Sequence, residues 1–234
     1  YHLTIIAMNH VGWQNLMQLS TTANLEGMYY KPRMDHEILE KYNEGLIIMS
    51  GCASGELGEN LRAGNYAEAK RIAEWYKSVF GDRYYLELQD HGHPDAPHTW
   101  DVQANINKGL KKISKELNIP MVVTCDGHYL THDDSKAHEI LLCIGTGSFL
   151  SDENRMSLED FELHLTDPQD IINRWGKDMP EVITNTKAIA DRCNLELELG
   201  NILIPKFPTP EGVTEKQLLD DLVFRGLARR YAGK

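Results

Sequence analysis

The stretch MVVTCDGHYL, residues 121–130, is the part of the sequence that decides the predicted fold. Its apolar, β-prone opening at 121–123 is followed at once by polar residues. That pattern is typical of a buried strand whose carboxyl end carries chemically active side chains. We therefore predict a strand over residues 119–125, with Asp126 and His128 just beyond its end.

Similar apolar runs alternate with helical patterns along the chain. Apolar runs predict further strands over 2–8, 45–50 and 83–89, and apolar stripes predict helices over 10–27, 65–81, 102–117 and 133–147. This cadence predicts an α/β protein with a parallel sheet, either open or closed into a barrel. In such folds the functional side chains gather at the carboxyl ends of the strands.

The last part of the chain has a different character. Residues 204–217 contain three prolines and are typical of a linker, and residues 215–234 predict a helix with a basic end. We therefore predict one domain over 1–204, and a linker with the start of another unit over 205–234.

Composition narrows the class of protein. A net charge of −11 argues against a module that binds duplex DNA through a positive surface of its own, so that contact with nucleic acid would be local or made through metal ions.

The four cysteines form no CxxC pair, which argues against a zinc ribbon and a disulfide scaffold and favours the cytoplasm. No apolar run approaches the length of a membrane span. The sequence opens without a methionine, and we expect a piece of a longer polypeptide.

Asp126 and His128 can be interpreted in two ways. In an extended segment, residues at i and i+2 point the same way, so both side chains can converge on one metal ion, with zinc, manganese or iron suited to such ligands. Alternatively, Asp126 caps the turn and His128 is an ordinary hydrogen-bonded histidine. Because D-x-H is a short pattern, spacing alone favours the second interpretation.

Cys52 and a group of three histidines can each be interpreted either as functional residues or as ordinary structural ones. Cys52 lies in a predicted strand-to-helix turn, where a thiol can serve as a nucleophile. Because the sequence identifies no partner base, it favours the interpretation of Cys52 as a small buried residue in a tight turn. His91, His93 and His98 could bind a metal. The two prolines among them fit a solvent-exposed loop better.

Taken together, several segments resemble the PHP (polymerase and histidinol phosphatase) domain of bacterial replicative, family C, DNA polymerases. The resemblance runs in order over essentially the whole chain, and the segment 119–147 is the most specific. The segments that carry it are YHLTIIAMNHVGWQNLMQLST (1–21), GLIIMSGCASGELG (45–58), YYLELQDHG (84–92), IPMVVTCDGHYLTHDDSKAHEILLCIGTG (119–147) and PKFPTPEG (205–212). The resemblance implies a distorted seven-stranded, TIM-like β/α barrel, of which this chain would lack the first strands.

The resemblance also implies a cluster of divalent metal ions. The positions that match the family's ligand motifs are His2, Cys52, Asp126 and His128, and the remaining family ligands would lie upstream of residue 1. His2 rests on the resemblance alone, since it begins its strand instead of ending it.

The function that the resemblance implies is metal-dependent phosphoester hydrolysis, thought to serve 3′–5′ proofreading within the parent polymerase. DNA and other replicase subunits are the implied partners, and the polymerisation carboxylates would lie downstream of this chain. A structural module that braces the polymerase and a free-standing phosphoesterase stay open as alternatives. We expect residues 1–234 alone to bind metal weakly and to lack nuclease activity, because about half of the implied ligands are missing.

Overall fold

The computed structural model describes residues 1–91, 101–159, 161–202 and 204–233, with only the backbone given for residue 101. The chain divides into two compact units, Tyr1–Glu196 and Leu197–Lys234. The elements are β1 (Thr4–Ala7), α1 (His10–Leu25), β2 (Met28–Tyr29), β3 (Lys31–Pro32), α2 (His36–Lys41), β4 (Leu46–Met49), α3 (Glu56–Arg62), α4 (Tyr66–Phe80), β5 (Tyr84–Gln89), α5 (Asp101–Leu117), β6 (Met121–Thr124), α6 (Ser135–Thr146), α7 (Pro168–Trp175), α8 (Pro180–Arg192) and α9 (Glu215–Tyr231). Each predicted strand and helix is present within a few residues of its predicted bounds, which confirms the α/β class.

The first unit is organised around a four-stranded sheet with the order β1-β4-β5-β6. Strands β4, β5 and β6 run parallel to one another. Strand β1 pairs with β4 in the antiparallel direction, with Thr4 opposite Met49 and Ala7 opposite Leu46.

The prediction of a parallel sheet is therefore wrong for β1. The sequence pattern assigned a single helix between the strands at 2–8 and 45–50, as in a β-α-β unit. The structure adds a short second helix, α2, after α1, so the chain reverses once more before β4. This extra reversal brings the amino end of β1 to the edge where the parallel strands have their carboxyl ends.

Strand β4 is buried on both faces, which explains its continuous apolar sequence. Because side chains alternate along a strand, Leu46 and Ile48 enter the main core, and Ile47 and Met49 enter a smaller core on the other face. Ile189 of α8 contributes to that smaller core. The sheet is therefore covered by helices on both sides.

Helix α5 packs against the main core through its predicted apolar stripe. Ile106, Leu110 and Ile113 are fully buried, and Val102 and Leu117 pack partly buried at the ends of the stripe. The stripe occupies one side of the helix, which leaves the lysines of α5 on the remainder of its surface.

The second unit consists of an irregular stretch followed by α9. Thr214 begins α9 with a reciprocal cap, in which its side chain and that of Gln217 bond each other's backbone N–H groups. The helix predicted over 215–234 is confirmed over Glu215–Tyr231, and the division of domains at 204 stays a prediction. Among the described residues, no helix combines the length and apolar character needed to cross a membrane.

A buried ion pair holds the irregular segment that follows α6. Glu139 of α6 bonds Arg155, and its carboxylate also accepts hydrogen bonds from Ser157 Oγ at 2.8 Å and from the Leu158 N–H at 2.8 Å. Burial alone would raise the pKa of the Glu139 carboxyl, but the hydrogen bonds from these three residues outweigh it, so the pKa lies below its ordinary value.

A close backbone approach joins α1 to the start of β4. A Cβ atom added to Gly12 would lie 2.0 Å from the carbonyl oxygen of Gly45, which is closer than any side chain permits. The contact therefore requires glycine at position 12. By contrast, a Cβ on Gly145 of α6 would meet no described atom within 4 Å.

We expect Glu139→Gln to lower the free energy of unfolding at pH 7 by about 2 kcal/mol, because the ion pair and part of the hydrogen bonding are lost. A lowered folded-state pKa stabilises the protein above the unfolded-state pKa, and this stabilisation disappears as pH falls through the folded-state value. The difference between wild type and variant should therefore shrink below the ordinary pKa of 4.5. Urea unfolding across pH measures it, with the exposed Glu196→Gln as control; a difference independent of pH would contradict the expectation.

Gly12→Ala should destabilise the protein by about 3 kcal/mol, because the methyl group must push α1 away from β4. The same substitution at Gly145 should instead stabilise by up to about 1 kcal/mol, since alanine is the better helix former. Urea denaturation of both variants gives the comparison. Equal effects at the two positions would show that α1 does not depend on this contact.

Candidate metal centre

The carboxyl ends of the parallel strands and the amino end of β1 surround a cavity of about 350 Å3. The residues that line it come from four separate parts of the sequence: His2, Leu3, Thr4, Gly51, Cys52, Glu87, Gln89 and Asp126. Three of the four predicted site residues, His2, Cys52 and Asp126, thus lie around one cavity.

The antiparallel direction of β1 positions His2. Its N–H donates to the Ser54 carbonyl at 2.9 Å, and its Nδ1 lies 3.4 Å from the Cys52 Sγ. Gly51 makes the turn between β4 and Cys52 with a φ of +76°, and a Cβ there would lie 2.9 Å from the His2 carbonyl oxygen. The His2–Cys52 pair therefore depends on a glycine at position 51. The pair also supplies the imidazole neighbour that the sequence could not identify for the thiol.

Asp126 and His128 approach each other by a different route from the predicted one. Asp126 has a φ of +46°, so the segment turns and is not extended. His128 Nδ1 donates to the Asp126 carbonyl oxygen at 2.7 Å and lies 4.0 Å from the Asp126 Oδ1. Since a carbonyl oxygen only accepts, Nδ1 carries a proton, which leaves Nε2 as the ring nitrogen for a ligand.

Glu87 of β5 is a site residue that the sequence analysis missed. Its carboxylate is buried and accepts hydrogen bonds from Thr4 Oγ1 at 3.1 Å, from the Gly51 N–H at 3.2 Å and from Thr124 Oγ1 at 2.8 Å. One side chain thus bonds β1, the end of β4 and β6 together. The signal that could have found it is a carboxylate in the middle of the otherwise apolar strand YYLELQ.

His91 corrects the prediction of a solvent-exposed loop. It is 7% exposed, and its Nε2 lies 3.8 Å from the Asp126 Oδ2. Burial lowers the pKa of the His91 imidazole, against the raising influence of Asp126 and Asp90, which favours the neutral ring that metal ions require. The other two histidines of that prediction, His93 and His98, lie outside the described residues.

The donor types around the cavity fit a divalent metal. Thiolate, imidazole and carboxylate together suit zinc, and the imidazoles with the carboxylate also suit manganese or iron. The donors approach in pairs: His2 with Cys52, Asp126 with His91, and Asp126 with His128. Within residues 1–91, 101–159, 161–202 and 204–233, no group of three such side chains is already gathered for one ion.

Comparison with known families gives an independent result. The family model described as "PHP domain" matches residues 1–91. Residues 1–91 are therefore similar to a PHP domain. PHP domains have a TIM-like barrel fold, in agreement with the mixed α/β architecture. The matched range includes His2, Cys52 and Glu87, and it ends before Asp126 and His128.

Curated relatives extend the similarity over the rest of the chain. The chain is 38% identical over 233 residues to the DNA polymerase III subunit alpha of Borreliella burgdorferi, covering 99% of this chain and 20% of the relative. It is 40% identical over 234 residues to that of Treponema pallidum, with 99% and 19% covered, and 38% identical over 239 residues to that of Thermus aquaticus, with 99% and 19% covered. The chain spans about a fifth of the length of these relatives.

The Glu87 carboxylate should be required for the stability of the sheet edge. Glu87→Gln should lower the free energy of unfolding by about 1–3 kcal/mol, because an amide replaces one acceptor oxygen by a donor and leaves buried donors unsatisfied. Urea unfolding followed by tryptophan fluorescence measures the loss. The exposed Glu153→Gln is the matched control and should change stability by less than about 0.5 kcal/mol. Equal stability of the Glu87 variant and wild type would refute this role.

Proposed function

We propose that the chain is a segment of a DNA polymerase III alpha subunit and that the cavity of its PHP domain is a divalent metal centre for phosphodiester hydrolysis. The observation that carries the proposal is the meeting of His2, Cys52 and Asp126 at one cavity, from three separate parts of the sequence. The similarity of nearly the whole chain to polymerase alpha subunits supports the same assignment.

In this proposal the metal ions are bound from two sides of the cavity. His2 and Cys52 hold one side of the centre, and Asp126 with His128 and His91 holds the other. A bound divalent ion would supply an acidic water and positive charge beside a phosphate. His128 contributes through Nε2, because its Nδ1 proton is committed to the Asp126 carbonyl. Glu87 keeps the strand ends in register and so positions both sides.

In the full-length subunit the centre would serve 3′–5′ exonucleolytic proofreading in the cytoplasm, with DNA and other replicase subunits as partners. The polymerisation carboxylates would lie outside this chain. Residues 1–234 alone should bind metal weakly and lack nuclease activity, because metal affinity depends on a complete ligand set.

A second candidate is a structural PHP module that braces the polymerase without hydrolysis. The observation that favours it is that no three donors are preassembled among the described residues. The two candidates predict different effects of substituting the metal ligands. Loss of a hydrolytic centre removes exonuclease activity and leaves the fold intact, whereas a structural module has no such activity to lose.

Substitution at the metal centre tests the two candidates in the full-length subunit. Asp126→Asn removes a charged ligand and His128→Ala removes an imidazole, and each should reduce exonuclease activity by about a hundredfold or more. The double variant should lose little more than the worse single one, since both residues serve one unit. Primer extension should survive in all three proteins. A chelator followed by zinc or manganese should abolish and restore the exonuclease of wild type.

The matched control is the neighbouring pair of exposed residues, Asp133→Asn and His132→Ala, whose side chains also lie close together, at 3.8 Å. These variants should keep wild-type exonuclease activity. If the Asp126 and His128 variants remain folded and keep that activity as well, the hydrolytic function is wrong. Joint loss of exonuclease, extension and thermal stability would support the structural module instead.

A further inference from the structure

A second cavity, of about 570 Å3, lies beside the metal centre between α5 and α7. We call it the lysine groove and define it by Lys108, Lys111, Lys112 and Lys115 of α5 with Arg174 and Trp175 of α7. Gln89 lines both cavities. His91 lies in the groove and is 3.8 Å from the Asp126 carboxylate, so the groove ends where the metal centre begins.

The groove is basic on a chain whose net charge is −11. Its lysines lie three, one and three residues apart, a spacing that places them along one side of the helix. Five basic side chains face two carboxylates, Asp90 and Asp178, among the described lining residues. Asp90 is already held by Arg174 Nε and Trp175 Nε1, each at 2.8 Å. The groove is therefore a local site for an anion, in contrast to the protein as a whole.

Three of the lysines keep their charges available. Within the described parts of the chain, Lys108, Lys111 and Lys115 form no ion pair. Lys112 differs, because its ammonium lies 3.9 Å from the Glu116 carboxylate, in addition to lying 4.1 Å from the centre of the Tyr66 ring. Three ammonium groups on one side of α5 are thus free to contact successive phosphates.

The groove also holds features that a bare phosphate would not use. Gln103 Nε2 donates to Asn107 Oδ1 at 2.9 Å, and Asn107 Nδ2 donates to the Gln89 carbonyl at 2.8 Å, which fixes both amides. The Oε1 atoms of Gln103 and Gln89 are buried and accept no hydrogen bond from the described residues. Such acceptors call for a donor on the ligand, and a nucleobase has N–H donors whereas a phosphodiester has none.

An aromatic surface lies among the cations. Trp175 is half-buried, and the Lys111 ammonium lies 4.9 Å from the centre of its ring. A cationic groove interleaved with aromatic side chains is the usual means by which proteins hold single-stranded nucleic acid, with phosphates on the cations and bases on the rings.

We propose that the lysine groove binds a single strand of nucleic acid and leads it to the metal centre. From Lys108 to Lys115 the helix rises about 10 Å, so the lysines extend along a strand and do not converge on one phosphate. A duplex engages its Watson–Crick N–H donors in base pairs, whereas a single strand leaves them available. The delivery role rests on the proposed hydrolytic function, whereas binding by the groove can be measured without hydrolysis.

The test is binding of a short fluorescein-labelled oligothymidylate to the 234-residue chain, followed by fluorescence anisotropy over a series of salt concentrations. The triple variant Lys108→Gln/Lys111→Gln/Lys115→Gln should lose about tenfold or more in affinity. Its slope of log affinity against log salt should be shallower by about 2, since each phosphate contact contributes about 0.7 for a single strand. The triple Lys→Arg variant at the same positions should retain both values.

The matched control removes three exposed lysines from other helices, Lys41→Gln/Lys136→Gln/Lys187→Gln, with the same change in net charge. Its affinity should stay within about twofold of wild type. Thermal unfolding of all variants confirms that they are folded. Equal losses in the two glutamine triples, or no loss in either, would overturn the proposal, and so would duplex DNA or inorganic polyphosphate binding as tightly as the single strand.

The two proposals fail separately. If the Asp126 and His128 variants lose exonuclease activity while the groove triple binds as wild type, the groove assignment is wrong and the metal centre stands. If strand binding depends on the three lysines while the metal-centre variants keep exonuclease activity, the hydrolytic function is wrong and the groove assignment stands.

Discussion

The carboxylate of Glu87 is the interaction on which the rest of the site depends. A buried charge is costly unless its oxygens are satisfied, and here the donors come from β1, from the turn after β4 and from the end of β6. The donors come from three separate parts of the chain, so the carboxylate fixes the relative positions of β1, the turn after β4 and β6 at the functional edge. Ser50 Oγ accepts from the Glu87 N–H at 2.9 Å and anchors the same residue through its backbone. The cavity walls are therefore held by hydrogen bonds where the apolar core ends.

The reversed strand β1 has a comparable consequence for the chemistry. In a fully parallel sheet its amino end would lie at the opposite edge, far from Cys52. In the antiparallel pairing, Thr4 lies opposite Met49, and His2 reaches the turn that follows β4. The approach of the imidazole to the thiol is thus a property of sheet topology, and the glycine at 51 permits it.

The overall charge of the chain and the local charge of α5 are opposite in sign. An acidic chain repels nucleic acid in general, which suppresses nonspecific binding to DNA. Positive charge is concentrated on one side of α5, next to the cavity in which a divalent ion would add more. In the proposed function, this positive charge attracts a phosphate backbone along the lysine groove toward the metal centre by electrostatics, without base-specific contacts.

The sequence by itself determined the elements and indicated candidate residues for the site. Periodicity located the strands and the apolar stripe of α5, because burial imposes periods of two and 3.6 residues that survive in any tertiary context. Position at strand ends made Asp126, His128 and Cys52 candidates, and the family resemblance favoured their interpretation as metal ligands. Only the tertiary structure decided the direction of β1, the turn at Asp126 and the burial of His91 and Glu87. Each of these follows from contacts between residues far apart in the chain, and local pattern carries no information about which distant donors and strands will meet.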